Sequence, residues 1–232
     1  MLRRAFKRSM WSTYDHIGLL VLSNLLWLLL SLPVVTAPAA AAGLFHLTRE
    51  TTRGESAEGG TGLTSFFTGF RTWFLPSLKL GAVELVTAAV LWVNIDFYSH
   101  LRGPAAIPGM VLSAVMIWVA VFFLLMHAHL YPLLVGGESG LRALLKKAAL
   151  LTLDNVAFTI GITVQALALS ALCILTGAGL VLINGSAVAM LLTTGHEELL
   201  RKYSDDAELP PEFLEKRTLR DLWRPWESGS SE

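Results

Sequence analysis

The residues of this 232-residue chain that could do chemistry lie inside long apolar stretches. Glu84 is the foremost. It falls two turns into an otherwise apolar run, where inserting an acidic side chain at mid-bilayer costs about 2.5–3.5 kcal/mol. A group held at that cost is a candidate proton or cation site, or a counter-ion. Its structural alternative is a pair with Lys79 or with a side chain on another helix. Asn24, Gln165 and Asn184 are uncharged polar groups in comparable stretches. They suit interhelical hydrogen bonds, about 0.6 kcal/mol each in a membrane, or the wall of a polar cavity. Thr36 stands between Pro33 and Pro38, where an interrupted helix exposes backbone groups that could bind an ion or a substrate. The same segment also reads as the apex of a hairpin at the outer face. Glu84, Thr36, Asn24, Gln165 and Asn184 are the candidate binding residues.

Other constellations carry less. Asp96 and His100 are four apart and can touch as a solvated pair at the end of a helix. His127 and His129 are two apart, so on a helix they point about 200° from one another and cannot share a metal. Cys173 is the lone cysteine, which excludes an internal disulfide and reads as a small apolar residue. The chain has no phosphate-binding glycine loop, no dinucleotide loop and no HExxH motif. These absences point away from an enzyme, a cofactor or a metal centre.

Composition shows what must position these groups. The chain is 53% hydrophobic and 16% charged, against about 45–50% and about 25% in soluble domains. A net charge of zero offers no footprint for nucleic acid. The apolar excess is gathered in blocks near the roughly 20 residues that a bilayer crossing needs. The reading is therefore an all-α polytopic transmembrane bundle of about six membrane segments with two interfacial amphipathic helices.

The first segment spans about 17–35. Pro33 and Pro38 break it, and an alanine-rich helix follows over about 38–52, short or re-entrant. Residues 54–62 read as a polar glycine-rich loop. Residues 64–75 place Phe66, Phe67, Phe70, Trp73 and Phe74 together with Arg71, the pattern of an interfacial helix. Spans over 76–98 and 107–131 flank a short turn, and Pro132 with Gly136–Gly137 is expected to end the second. An amphipathic stretch over 141–153 precedes a span over 155–175. A turn over 176–179 leads to a last span over 180–200. The amphipathic stretch followed by a span, at 64–98 and again at 141–175, makes a weak internal echo. A membrane domain thus covers 1–203 and a polar cytoplasmic tail 204–232, with a short helix expected near 211–222. Arg3, Arg4 and the apolar run behind them resemble a twin-arginine signal, but an uncleaved first helix fits the rest of the chain more simply.

With the N-terminus inside and the segments alternating, seventeen of the eighteen lysines and arginines fall on the inner side, Arg102 alone outside. Leaving out the distal tail, the split is thirteen to one. The positive-inside rule then puts both termini in the cytoplasm.

Asn24-Leu-Leu-Trp27, Leu32-Pro-Val-Val-Thr36, Pro38 with its alanines, Tyr131-Pro132 and Asp154-Asn155 occur in this order. Together they resemble the YesL-like integral membrane family of bacteria, over about residues 1–203. Ala37 departs from the glycine expected before Pro38. The resemblance implies a bacterial plasma-membrane protein of unassigned activity. It also implies an accessory role in carbohydrate uptake, with the permease of an ATP-driven sugar transporter as partner. The alternative is a small transporter or channel in its own right, using Glu84 and the Pro33–Pro38 hairpin.

Overall fold

The computed structural model describes residues 1–53, 62–138 and 140–203. The expected glycine-rich loop, apart from Gly62, and the polar tail with its short helix lie outside the described residues. Among the described residues the regular structure is helical, with no strand. The helices are α1 (Leu2–Asp15), α2 (Ile17–Ser31), α3 (Ala37–Arg53), α4 (Gly62–Thr72), α5 (Phe74–Ser99), α6 (Ala106–Val135), α7 (Leu141–Asp154), α8 (Val156–Thr176), α9 (Ala178–Leu182) and α10 (Asn184–Leu200).

Three helices are long and apolar enough to cross a membrane: α5, α8, and α6 with the short turn before it. The pair α1 and α2 passes the same test together but bends by 90° between them. The sequence placed six segments, and this count is larger than length supports. α2 has 15 residues, and α3 and α10 have 17 each. At 1.5 Å per residue, 17 residues reach about 25 Å, short of the roughly 30 Å hydrocarbon core.

Of these short helices, α3 and α10 are the interior. α3 buries Ala39, Ala40, Ala42, Leu44, Leu47 and Thr48, and α10 is buried from Ser186 almost continuously to Leu199. Alanine and glycine let neighbours approach closely, as in membrane helix pairs. A Cβ added at Gly43 would lie 2.9 Å from the backbone oxygen of Phe66, so α4 rests directly on α3. Thr48 and Thr193 join α3 to α10 through their hydroxyls, 2.9 Å apart. Around this pair, α5, α6 and α8 turn large apolar side chains outward, including Leu85, Trp92, Ile117, Trp118 and Leu175. In water such a surface would be a large exposed patch, whereas hydrocarbon suits it.

Several boundaries differ from the sequence reading. α1 was not foreseen as an element. It lies across the end of the bundle where α3 and α10 finish and packs Ala5, Ser9 and Trp11 inward. Pro132 does not end α6, which continues to Val135. The proline falls in the last turn, where its missing N–H leaves only one carbonyl free. Termination comes at Gly136 and Gly137, the latter at φ +92°. The final segment is not one helix. It breaks at Ile183, between α9 and α10. The turn at 176–179 centres on Gly177, at φ +63°. Past α10, Tyr203 and Lys202 bind back onto the α7–α8 corner. The Tyr203 hydroxyl meets the Asp154 carboxylate, and Lys202 Nζ donates to Asn155 Oδ1 at 2.8 Å.

Candidate functional site

Glu84 lies ten residues into α5, about 15 Å along the helix. Its partners come from α6, the other arm of the hairpin. His127 Nδ1 is 2.8 Å from Glu84 Oε1, and the Tyr131 hydroxyl donates to Oε2 at 3.3 Å. Lys79 is not the partner. Residues 127 and 131 are four apart, hence on one face of α6, and that face meets the Glu84 face of α5. Phe45 of α3 stacks on the Tyr131 ring, with centroids 5.4 Å apart, and so fixes it. The spacing of His127 and Tyr131 was the available signal for this cluster. Set beside His129 alone, His127 points only to the question of a metal and not to this pair.

A carboxyl group, an imidazole and a phenol on one cluster can share a proton. With His127 protonated the contact is an ion pair; with His127 neutral it is a contact between the ring dipole and the carboxylate. Either state lowers the cost of placing Glu84 in an apolar surround. The cluster borders two spaces. On the outer side a recess of about 430 Å³ lies between α5 and α6, with Glu84 and His127 at one end and Trp92 and Ile95 along it. On the inner side a cavity of about 340 Å³ lies among α2, α3, α6, α8 and α10. His127 and Leu124 line both.

The remaining candidates fall in different places. Asn24 is fully buried and has a structural occupation. Its Nδ2 donates to the Val181 carbonyl at 2.6 Å, and its Oδ1 accepts from the amides of Gly185 at 2.8 Å and Ser186 at 3.2 Å. These are groups that an unbroken helix would pair internally, so Asn24 stands in for the missing turn at Ile183. Thr36 donates at the hairpin apex toward the carbonyls of Leu30 and Pro33, so one exposed turn is closed by its own side chain. Asn184 lines the inner cavity, and its Oδ1 is buried without a partner among the described residues. Gln165 keeps Oε1 buried in the same condition but is not part of that wall. The five residues do not converge on one site. Glu84 and Asn184 lie on opposite sides of His127, and Asn24 and Thr36 stand apart.

His129 points away from His127, as a two-residue spacing demands. Its Nε2 is 3.0 Å from the Thr159 hydroxyl, and its ring is 5.8 Å from that of His196. Among the described residues no three His, Cys, Asp or Glu side chains converge on a point where a metal could bind. Asp96 and His100 form the exposed pair expected of them, at 3.5 Å.

A charged network closes the end of the bundle where α3 and α10 finish. Arg8 of α1 reaches Glu197 of α10 at 3.2 Å and donates to the Thr52 carbonyl of α3 at 2.9 Å. Arg53 lies 3.5 Å from the same carboxylate, and Thr52 donates to it at 3.2 Å. Burial lowers the Arg8 pKa from its usual value, and the Glu197 carboxylate opposes that shift. The network therefore ties three helices at one point.

Comparison with known proteins adds one likeness. No curated protein and no solved structure matches the chain. Residues 20–95, which run from α2 through Glu84 to near the end of α5, match the family model described as "Protein of unknown function, DUF624".

Proposed function

We propose that this chain is a multi-pass protein of a bacterial plasma membrane that serves as a non-catalytic accessory subunit. In this reading it has six membrane segments, namely α2, α3, α5, α6, α8 and the broken α9–α10, with both termini cytoplasmic. α3 and α10 can be short because α5, α6 and α8 pack around them, and α2 lies against α3 and α10. α1, at 90° to α2, suits the inner membrane surface.

One observation carries the accessory role. The ionisable pair Glu84 and His127 ends a recess that opens on the outer flank of α5 and α6. Facing hydrocarbon there is costly, and a helix of a second membrane protein would cover the recess. Trp92 of α5 and Trp118 of α6 stand on the two arms of this hairpin, each about three-quarters exposed. The permease of an ATP-driven sugar transporter is the partner that the YesL-like resemblance implies, and it rests on that resemblance alone. The test is a photo-crosslinking residue at position 92 in cells. A discrete protein adduct, identified as a transporter subunit and reduced by Glu84→Gln, is expected. Adducts with lipid only, or failure to recover a transporter subunit in mild detergent, would count against it.

A second reading is favoured by the depth of the Glu84–His127–Tyr131 cluster between two spaces. There the chain is a transporter itself, and the cluster carries a proton or cation. Reconstituted vesicles would then show a flux that Glu84→Gln abolishes. Vesicles without flux would remove this reading.

A further inference from the structure

We propose that the inner cavity is a binding site for a neutral single-chain amphiphile bearing a hydroxyl group, taken up laterally from the membrane. The proposal rests on the membrane reading above but not on the accessory role. The cavity's volume, about 340 Å³, lies in the range of small-molecule sites. Its wall is chiefly apolar, built from such residues as Trp27, Phe45, Ala166 and Val188. Leu124 of α6 and Leu167 of α8 line it and are also exposed on the outer surface, so it opens to the flank between those two helices.

Two polar atoms in this wall lack what similar atoms elsewhere in the chain possess. Thr51, Thr152 and Thr194 each donate to the carbonyl four residues back. The Thr163 hydroxyl, buried and facing the cavity, has no partner among the described residues. Asn24 pairs both ends of its amide, whereas Asn184 Oδ1 is buried and unpaired. Buried polar groups are almost always satisfied, because leaving them bare is costly. Asn184 Oδ1 can only accept, so the ligand must donate. Thr163 can do either. One hydroxyl on an otherwise apolar molecule meets those needs. A free sugar does not, since its many hydroxyls would face this apolar wall unpaired. The chain would then bind a lipid-like alcohol even where its partner handles sugar.

The test uses the full chain in phosphatidylcholine nanodiscs and hexadecanol carrying a mid-chain diazirine and a terminal alkyne. Photolabelling should map to α8 and α10 residues around the cavity. Unlabelled hexadecanol should compete about tenfold better than hexadecyl methyl ether, which cannot donate, as expected for one hydrogen bond. Ala166→Phe, which fills the space, should abolish the labelling. If that variant misfolds, Thr163→Val and Asn184→Leu decide, because either should shrink the alcohol's advantage over the ether. Labelling spread evenly over the exposed side chains of α5, which does not line the cavity, equal competition by alcohol and ether, or an advantage unchanged in both variants would overturn the proposal. A cavity that holds only water gives the first of these results. Failure of the chain to enter nanodiscs would refute the membrane reading instead.

Discussion

Replacing Asn24 by leucine tests whether one side chain holds the break at Ile183. The change keeps similar volume in a fully buried position and removes every hydrogen bond the amide makes. Three are of good length: to the Val181 carbonyl at 2.6 Å, and from the Gly185 and Ser186 amides at 2.8 and 3.2 Å. At the membrane average of about 0.6 kcal/mol each, their loss costs about 2 kcal/mol. The figure is a floor, because the backbone groups left behind are buried and cannot reach water. One such orphaned group costs about 1–3 kcal/mol. The expected destabilisation is therefore about 2–4 kcal/mol, or a melting temperature lower by several degrees for a chain of this size. Thermal and denaturant unfolding in one mild detergent would read it. Asn94→Leu is the matched control. Asn94 donates to Val90 of its own helix, at 2.7 Å, and is only partly buried on α5. Its loss should change stability by less than about 0.5 kcal/mol. Equal effects of the two substitutions would refute the assignment of Asn24 as the brace of the broken segment.

Other consequences can be measured in the same way. Gly43→Ala puts a methyl group 2.9 Å from the Phe66 backbone oxygen. It should cost about 1–3 kcal/mol by overpacking, whereas Gly18→Ala, with open space around it, should be neutral or stabilising. Arg8→Ala leaves the Glu197 carboxylate short of one partner at the end of α10. Because Arg53 remains, the loss should fall below the roughly 3–5 kcal/mol typical of a broken buried pair, and protease cleavage within residues 1–16 should rise. Glu84→Gln removes an ionisable group while keeping an acceptor for Tyr131. The protein should keep its melting temperature to within a few degrees, and a large loss of fold would mean that the pair is structural rather than functional.

Much of the helical plan was legible because apolar blocks and turn residues carry it locally. The long helices α5, α6 and α8, the proline-bracketed hairpin and the amphipathic α4 and α7 all announce themselves within a short window. The break at Ile183 does not, because its cause is Asn24, about 160 residues earlier. The same holds for Glu84. Its cost was evident from its neighbours in sequence, but its partners lie on the next helix. Their i,i+4 spacing became meaningful only once α5 and α6 were seen to pair. α1 is less legible for a different reason: along the sequence its apolar residues alternate with Arg3, Arg4, Lys7 and Arg8, and its role depends on Glu197 near the other end of the described chain. Thr163 looked like any helical threonine until its usual backbone partner proved to be unused.

The two innermost helices, α3 and α10, have consequences for how the protein is made. α3 leaves the ribosome early and α10 almost last, yet each supplies the other's polar contacts, Thr48 with Thr193 and Thr52 with Glu197. Until about two hundred residues have been synthesised, α3 must wait with its small-residue face uncovered and with Thr48 and Thr52 held only by the Phe45 and Arg49 carbonyls of their own helix. The nascent chain is then a natural client for an insertase or a membrane protease. A stop codon anywhere before α10 removes the centre of the bundle, so premature ends near residue 180 should be as poorly tolerated as much earlier ones.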